Sequence, residues 1–559
     1  MAIEPSRVTV GELAARFVEA CGTRAAFGVI SIHNMPILDA FHRRGRVRFV
    51  SARGEAGACN MADAYARVSG VPGVCVTSTG TGAGNAAGAL IEAYTASTPL
   101  LHLTGQIESE YLDRNLGYIH EAPAQLAMLQ AVGKAAFRIA RPEQALATLR
   151  GAARLACTPP CGPVSVEIPI DVQAALVDLP SDIAPVSIAA NGAAAQDIER
   201  LADELMSARR PLLWLGGGAR GARAAVERLL ALGWGVVTSV QGRGVIAEDH
   251  PATLGPYNLQ KPAEALYADS DAMLVAGSRL RSNETLRYKL KLPEPLYRID
   301  ADPAADGRAY PNRRFVQGDA LLTLDALASA LEARGARADA AWPAEVAQAR
   351  RACEQAVRAG LGPYTALLDA VQAQAGRAIW WVRDITLSNT MWGNRAPVLD
   401  HPRAGVHALG GGIGQGLAMA VGAAVANAEH GLARRTVALA GDGGFMLNLG
   451  ELACAAQEGA RFVLILMNDR RYGVIRNIQD DLYGGRHCYV DLRTPDMRQL
   501  CASLGVRHWL VGRPEDAAPA LAEALAATDA QPGPAIVEID MPGWGPFTAK
   551  FAGPPLKKD

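Results

Sequence analysis

The sequence has no excess of charge of either sign. It carries 55 Lys and Arg residues against 56 Asp and Glu residues, a formal net charge of -1. Without a basic stripe, neither nucleic acid nor an anionic membrane surface is an expected partner. The sequence also lacks an apolar run of about 18 residues, the length that a membrane-spanning helix needs. Its first residues are typical of an amphipathic helix rather than a signal peptide. These absences predict a cytoplasmic location.

Cysteine is sparse, with nine residues in a chain of 559. The closest pair in sequence, Cys157 and Cys161, flanks Thr-Pro-Pro and has no second pair with which to bind zinc. We therefore expect the reduced thiols of a cytosolic protein. Hydrophobic residues make up 50% of the chain, and the length is sufficient for three domains of ordinary size with large cores.

Patterns typical of strands and of helices alternate along most of the chain. Short apolar runs end in glycine-rich or polar turns, and helical patterns follow those turns. This alternation predicts the α/β class, with three doubly wound parallel sheets whose loops meet at one edge. Linkers rich in Pro, Ala and Arg divide the chain into domains at 1–176, 196–333 and 360–545, followed by a tail at 546–559. The tail either closes over a site as a lid or is a frayed terminus.

Two acidic turns occur in the stretch 441–473, which has the pattern strand, turn, helix, strand, turn. Asp442 follows the first predicted strand and Asp469 the second. In a right-handed βαβ unit both turns lie at the same edge of the sheet, so the two carboxylates can share one hard cation. The glycines beside Asp442 would let a phosphate approach backbone N–H groups at a helix start. The alternative is a plain βαβ turn with capping Asp residues.

The same stretch resembles a known cofactor motif. Gly-Asp-Gly, about two dozen residues and then Asn-Asp resembles the thiamine diphosphate (ThDP) motif of acetohydroxyacid synthases, pyruvate oxidases and 2-oxoacid decarboxylases. Far upstream, RGEAGACNMADAYARVSG resembles the family's glutamate motif, with Gly54 in place of His and Ala64 in place of Gly. The resemblance covers essentially the whole chain and is nearest to acetolactate synthase-like proteins. It implies a pyrimidine-binding domain, a central Rossmann-like domain and a diphosphate-binding domain.

The resemblance implies a catalytic role for Glu55, which would hydrogen-bond N1′ of the cofactor aminopyrimidine and promote loss of the thiazolium C2 proton. For a Glu at this position, the alternative is a carboxylate that only stabilises a helix start. His120 lies where the synthases carry Gln and is a candidate proton donor or acceptor, although a lone His is more often part of a polar wall.

The remaining site residues are carried over from the motifs. The metal ligands would be Asp442, Asp469 in place of the usual Asn, and the backbone oxygen of Arg471, with Mg2+ as the ion. Ile413 would hold ThDP in its bent form, and the Gly411 carbonyl would accept from the 4′-amino group. The other candidate cofactor-binding residues are Ser388, Asn389, Gly443, Gly444 and Tyr472. The candidate substrate pocket consists of Ile32, His33, Asn34 and Ile475, residues that depart from the synthase pattern.

The central domain carries a second glycine-rich turn, GGGARG at 216–221. It matches the dinucleotide fingerprint by letter, but the next predicted strand ends near Gln241 rather than at an acid, which argues against NAD. Asp300 opens a turn that resembles the ribose-facing turn of FAD-binding relatives. The segment Ser278 to Arg281 departs from their pattern. FAD is therefore a candidate cofactor alongside ThDP and Mg2+.

The resemblance implies decarboxylation of a 2-oxoacid followed by carboligation, because a second pocket Glu and a consecutive His-His pair, which mark pyruvate decarboxylase-type enzymes, are absent from the sequence. Three alternatives stay open: a ThDP-dependent decarboxylase or C–C lyase, a flavin-linked 2-oxoacid oxidase, and a cofactor-binding protein without catalysis. Because relatives bind ThDP between subunits, a homodimer or homotetramer with shared active sites is expected.

Overall fold

Three parallel six-stranded sheets organise the protein. The structure is a computed structural model that describes residues 6–551. The strand orders are β3-β2-β4-β5-β7-β6 in the first domain, β11-β10-β9-β12-β13-β14 in the second and β16-β15-β17-β18-β20-β19 in the third. Helices cover the sheets, so the predicted α/β class with three doubly wound domains is confirmed. Of the predicted tail, 552–559 lies outside the described residues.

The first domain begins with a short antiparallel pair, β1 with β8, beside its main sheet. Its strands are β1 (Arg7–Thr9), β2 (Ala25–Gly28), β3 (Arg48–Ser51), β4 (Gly73–Thr77), β5 (Leu100–Gln106), β6 (Ala135–Arg138), β7 (Pro163–Pro169) and β8 (Leu176–Asp178). Its helices are α1 (Val10–Ala20), α2 (Met35–Arg44), α3 (Glu55–Ser69), α4 (Thr81–Ala96), α5 (Gln125–Val132), α6 (Ala145–Cys157) and α7 (Ile170–Ala174).

The central domain repeats the same alternation. Its strands are β9 (Pro211–Leu215), β10 (Gly235–Thr238), β11 (Thr253–Gly255), β12 (Ala272–Ala276), β13 (Leu296–Asp300) and β14 (Arg314–Gln317). Its helices are α8 (Ala195–Leu205), α9 (Arg223–Ala231), α10 (Lys261–Asp269) and α11 (Ala320–Ala333), followed by α12 (Trp342–Leu361). The predicted helical linker overlaps α12, which packs on the central sheet: Trp342 is fully buried and donates from Nε1 to the Pro211 carbonyl at 2.9 Å.

The third domain carries the two acidic turns. Its strands are β15 (Ile379–Arg383), β16 (Gly405–His407), β17 (Arg435–Gly441), β18 (Val463–Asn468), β19 (Arg507–Val511) and β20 (Ala535–Asp540). Its helices are α13 (Thr365–Ala370), α14 (Gly416–Glu429), α15 (Asp442–Leu447), α16 (Gly450–Gln457), α17 (Gly473–Leu482), α18 (Met497–Ser503), α19 (Ala517–Ala530) and α20 (Met541–Trp544).

The first and third domains share one hydrophobic core, formed where α3 packs against α14. Small residues allow this close approach: a Cβ atom on Gly422 of α14 would lie 2.1 Å from the Met61 carbonyl oxygen of α3. Because Glu55 is the first residue of α3 and α14 follows the Gly411 to Ile413 loop, this contact orients two of the predicted site segments.

We predict that Gly422→Ala destabilises the protein by about 1–3 kcal/mol, because the added methyl group meets backbone rather than a movable side chain. The measurement is the midpoint of urea unfolding followed by circular dichroism. The matched control is Gly151→Ala in α6, where an added Cβ has no heavy atom within 4 Å. That variant should gain about 1 kcal/mol from helix propensity, and an equal response of both variants would contradict the packing argument.

Candidate functional site

Asp442 and Asp469 lie side by side at the carboxyl edge of the third sheet. Strands β17 and β18 are parallel neighbours, with Gly441 opposite Met467, so each Asp follows its strand at the same level. Asp442 is 1% exposed, and its Oδ2 has no hydrogen-bond partner among residues 6–551. Burial raises the pKa of both carboxyl groups, and the negative charge of Asp442 raises the pKa of Asp469 further.

A cation between these carboxylates would remove that repulsion. In the described part of the chain, no group of three or more His, Cys, Asp or Glu residues could hold a metal ion. Further ligands must therefore be backbone, phosphate or water oxygens, which is the ligand set that Mg2+ prefers. The Arg471 side chain supports the turn by donating from Nε to the Asp469 carbonyl at 2.9 Å. The donor chemistry and the buried, unpartnered oxygen fit a Mg-diphosphate group.

A cavity of about 330 Å³ opens directly in front of the acidic pair. Its wall needs glycine, because a Cβ on Gly443 would lie 2.6 Å from the Tyr472 ring. The predicted site residues that line it are Gly411, Ile413, Asp442, Gly443, Gly444, Asp469, Arg471, Tyr472 and Ile475. They come from three separate segments of the third domain, which the sheet edge brings together.

The segment after β15 contributes to this cavity through residues other than those implied by the resemblance. Thr386 and Thr390 line the cavity. Ser388 and Asn389 do not line it: they are 0% and 2% exposed, and Ser388 Oγ and Asn389 Oδ1 are buried without hydrogen-bond partners within residues 6–551. The sequence could have indicated Thr386, because it lies just after the predicted strand at the same edge as Asp442.

Two buried carboxylates hold the loop that carries Ile413. Asp384, at the end of β15, accepts from the Gly414 N–H at 3.1 Å, and burial raises the pKa of Asp384 to about 6. Glu92 of the first domain accepts from the Leu409 and Gly410 N–H groups at 2.6 Å each. Neither acid was singled out in the sequence, because a single carboxylate outside a motif carries no signal. Their effect is to present Ile413, 38% exposed, to the cavity.

Glu55 belongs to a separate group of residues at the edge of the first sheet. Its Oε2 accepts from Asn85 Nδ2 at 3.1 Å. A Cβ on Gly82 would lie 3.1 Å from Glu55 Oε1 and 2.9 Å from the Ser78 Cβ, so small residues surround the carboxylate. Ser78 Oγ in turn accepts a hydrogen bond of 2.8 Å from the hydroxyl of Ser31, which lies in the loop that carries the candidate substrate residues.

That loop places its three candidate residues differently. Ile32 is 51% exposed, whereas Asn34 is fully buried and anchors the loop through Ser31 N–H and the Val29 carbonyl. His33 is 2% exposed and meets His120, with 3.4 Å between the two Nδ1 atoms. Sequence reasoning looked for two consecutive histidines and missed this pair, because its members are 87 residues apart and meet only after folding.

Within one chain, the two groups of residues do not share a cavity. Glu55, Ile32, His33, Asn34 and His120 are absent from the lining of the cavity beside Asp442. The predicted site residues thus form two half-sites, one on the first sheet and one on the third.

Comparison with known proteins assigns this architecture. The thiamine pyrophosphate enzyme N-terminal TPP binding domain matches residues 8–128, the central domain 198–327 and the C-terminal TPP binding domain 388–539. A probable 2-ketoarginine decarboxylase of Pseudomonas aeruginosa is 33% identical over 485 residues, which cover 85% of this chain and 84% of the relative. The chain belongs to the thiamine pyrophosphate enzyme family.

Other relatives in this family carry a different activity in their names. The acetolactate synthase isozyme 1 large subunit of Escherichia coli is 26% identical, with 95% of this chain and 94% of the relative covered. A probable acetolactate synthase large subunit of Methanocaldococcus jannaschii is 27% identical, with 92% and 89% covered. The predicted resemblance to acetolactate synthase-like ThDP enzymes is confirmed. Between residues 6 and 551, no helix is both long and apolar enough to cross a membrane.

We predict that Asp442→Asn weakens Mg2+-dependent ThDP binding by at least about tenfold, since it removes a charged ligand, whereas Asp469→Asn keeps most of the affinity because an amide oxygen still coordinates. ThDP quenching of tryptophan fluorescence, titrated at several Mg2+ concentrations, measures both. Asp481→Asn, on the exposed side of α17, serves as the control and should bind as the wild type does. An affinity loss for Asp442→Asn that is no larger than the loss for Asp481→Asn would contradict metal ligation by Asp442.

Proposed function

We propose that the protein is a ThDP-dependent carboligase that decarboxylates a 2-oxoacid and joins the remaining fragment to a second carbonyl compound, as in the acetolactate synthases. The observation that carries this proposal is the pairing of a Glu55 half-site with an Asp442–Asp469 half-site in one family fold. When bound, ThDP supplies the electron sink that lets CO2 leave a 2-oxoacid. The synthase relatives, which match nearly the whole chain, support ligation.

Mg2+ is the proposed metal, held by Asp442, Asp469 and the backbone oxygen of Arg471. Backbone N–H groups at Gly443 and Gly444, in the first turn of α15, would bind the diphosphate. Gly411, Ile413 and Tyr472 would hold the thiazolium and pyrimidine. Ser388 and Asn389, which are buried behind the cavity wall, would take part in cofactor binding. Ile475, 48% exposed on the cavity wall, would contact substrate.

The active site is proposed to form between two copies of the chain. Each half-site presents apolar side chains to solvent in a single chain: Ile30 and Ile32 are 60% and 51% exposed on the first, and Ile413 and Leu447 are 38% and 55% exposed on the third domain. Such clusters are typical of surfaces that become buried in an assembly. A homodimer that unites Glu55 of one chain with Asp442 of the other would cover both, and two such dimers would make the tetramer.

A decarboxylase or C–C lyase is the second candidate. It is favoured by the 33% identity to a relative named as a probable 2-ketoarginine decarboxylase. In that case the fragment left after CO2 loss takes a proton instead of a second carbonyl compound. The two candidates share every cofactor contact and differ only on the substrate side.

FAD is a further proposed ligand, and it would make the flavin-linked oxidase the third candidate. A cavity of about 350 Å³ lies between the central and first domains, and Gly217, Ser278 and Asp300 line it on the central-domain side. Arg220 lines it, with Nε buried and unpartnered within residues 6–551, and burial followed by repulsion from Arg67 lowers the pKa of Arg220 to about 10. A buried guanidinium with an open donor suits the phosphates of a nucleotide.

The proposed location is the cytoplasm. All nine cysteines are free thiols, the state that a reducing compartment maintains.

We predict that the protein with ThDP and Mg2+ converts at least one 2-oxoacid to CO2 and a 2-hydroxyketone or acetohydroxyacid. A panel of 2-oxoacids with and without aldehyde acceptors, analysed by mass spectrometry, identifies the products, and the colour of the purified protein is recorded alongside. CO2 with free aldehyde alone would favour the decarboxylase. A yellow protein whose flavin becomes reduced when a 2-oxoacid is added would favour the oxidase. If no 2-oxoacid is converted, all three candidate functions are contradicted.

Glu55→Gln and Asp442→Asn should each abolish turnover for different reasons. Glu55→Gln should slow H/D exchange at C2 of ThDP while leaving binding intact, because only the carboxylate promotes the proton loss. If sites form between subunits, mixing equal amounts of the two variants under conditions of random subunit exchange should restore up to about a quarter of the wild-type activity, since about half of the dimers are hybrids, in which one site carries both changes and the other neither. Mixtures that stay inactive after exchange would contradict a shared site.

A further inference from the structure

His33 and His120 form a pair of imidazoles in the first half-site. Their rings meet edge to face, with centroids 5.3 Å apart and an interplanar angle of 77°, and the Nδ1 atoms lie 3.4 Å apart. At that distance one ring can donate to the other, so the pair can pass a proton between a buried and a half-buried imidazole. His33 is 2% exposed, whereas His120 lies partly open to solvent.

The backbone around the pair is tightly constrained. His120 has a φ of 64°, a left-handed conformation that is uncommon for a residue with a side chain and that packing must enforce. A Cβ on Gly80 would lie 2.1 Å from the His120 carbonyl oxygen, and a Cβ on Gly105 would lie 2.2 Å from the His33 carbonyl oxygen. Gln173 Nε2 also donates to the His33 carbonyl at 2.7 Å. Glycines thus let both histidines approach from different loops.

The pair lies on the same loop network as Glu55. The His33 N–H donates to Ser31 Oγ at 3.1 Å, Ser31 contacts Ser78, and Ser78 borders Gly82 beside the Glu55 carboxylate. Under the proposed function, Glu55 would bind the aminopyrimidine, the part of the cofactor that promotes proton loss at the reacting thiazolium C2 atom. The pair is therefore placed at the reacting end rather than at the diphosphate end.

The surroundings of His33 disfavour its protonated form. Burial, and then repulsion by His120, lower the pKa of His33, while Glu108 opposes this shift. These are the charged groups that act on His33. A pair that holds a single mobile proton can give it up to a substrate and recover it from solvent through the half-buried member.

We propose that His33 and His120 act as one acid–base pair that supplies the proton consumed in each turnover. This inference rests on the proposed function, and it holds for both the carboligase and the decarboxylase.

The proton balance is the same on either route. The bond between the carbonyl carbon and the carboxylate breaks, CO2 leaves, and the electron pair stays on the carbonyl carbon. In ligation that pair forms the new C–C bond, and the acceptor carbonyl oxygen takes the proton from His120. In simple decarboxylation the carbon itself takes the proton. The pair, which held one proton beyond its two neutral rings, is left neutral, and solvent returns that proton through the half-buried His120.

The first measurement needs neither cofactor nor turnover. His33 is followed by NMR over a pH series in the wild type and in His120→Gln. In the wild type it should titrate below the ordinary value of about 6.5, and in the variant its pKa should rise because the repelling imidazole is gone. An unchanged His33 titration would overturn the pairing.

The second measurement separates proton supply from a structural role. CO2 release is assayed with and without ferricyanide, a one-electron oxidant of which two equivalents take up the electron pair, so that no proton is needed at that step. His120→Gln should lose about 10²-fold in rate without the oxidant and keep nearly the wild-type rate with it. His33→Gln should behave in the same direction, and the ThDP affinity of both variants should stay unchanged.

His42→Gln is the matched control, because His42 is exposed on α2, outside both half-sites. It should match the wild type in every assay. Equal losses in both arms for His120→Gln, or no loss in either, would overturn the proton-supply role alone. A wild type that releases no CO2 from any 2-oxoacid in either arm would overturn the proposed function and this role with it, while the His33 titration would still report on the pair.

Discussion

The close approach of two carboxylates at the end of neighbouring parallel strands is the constraint on which the site depends. Asp442 is buried and Asp469 half-buried, burial raises the pKa of both, and the charge of Asp442 raises the pKa of Asp469 further, so the ionised pair is costly without a cation between the two carboxylates. A divalent ion would turn this repulsion into a binding site, with phosphate oxygens as its further ligands. The glycine-lined start of α15 would then offer the diphosphate backbone donors and the space to reach them.

Contacts between the first and third domains position the remaining parts of the candidate site. The tight packing of α3 on α14 sets the angle between the first and third sheets, and Glu92 of the first domain fixes the backbone just before Ile413 through two short hydrogen bonds. A single chain nevertheless leaves two half-sites apart, each with exposed apolar side chains. The fold of a single chain positions the residues of each half-site, and the association of two chains is the proposed step that unites the two half-sites.

On the substrate side, two loops that are distant in sequence each contribute one member of the His33–His120 pair. His33 follows β2 and His120 lies in the long loop after β5, and both strands end at the same sheet edge. Gly80 and Gly105 allow the backbones to close to contact. The outcome is a contact between two imidazoles, whose Nδ1 atoms lie 3.4 Å apart, on the first half-site.

The fold class, the family and the placement of the two acidic turns at one sheet edge could be predicted from the sequence, because they rest on local patterns: alternating apolar runs, glycine beside acid, and a spacing that one βαβ unit imposes. Residues that act through long-range contacts could not. Asp384 and Glu92 carry no motif, and the His33–His120 contact joins loops 87 residues apart. The sequence by itself determined which cofactor chemistry the chain contains. The tertiary structure decided which side chains meet, since sheet order and helix packing, rather than neighbours in the chain, bring those loops to one edge.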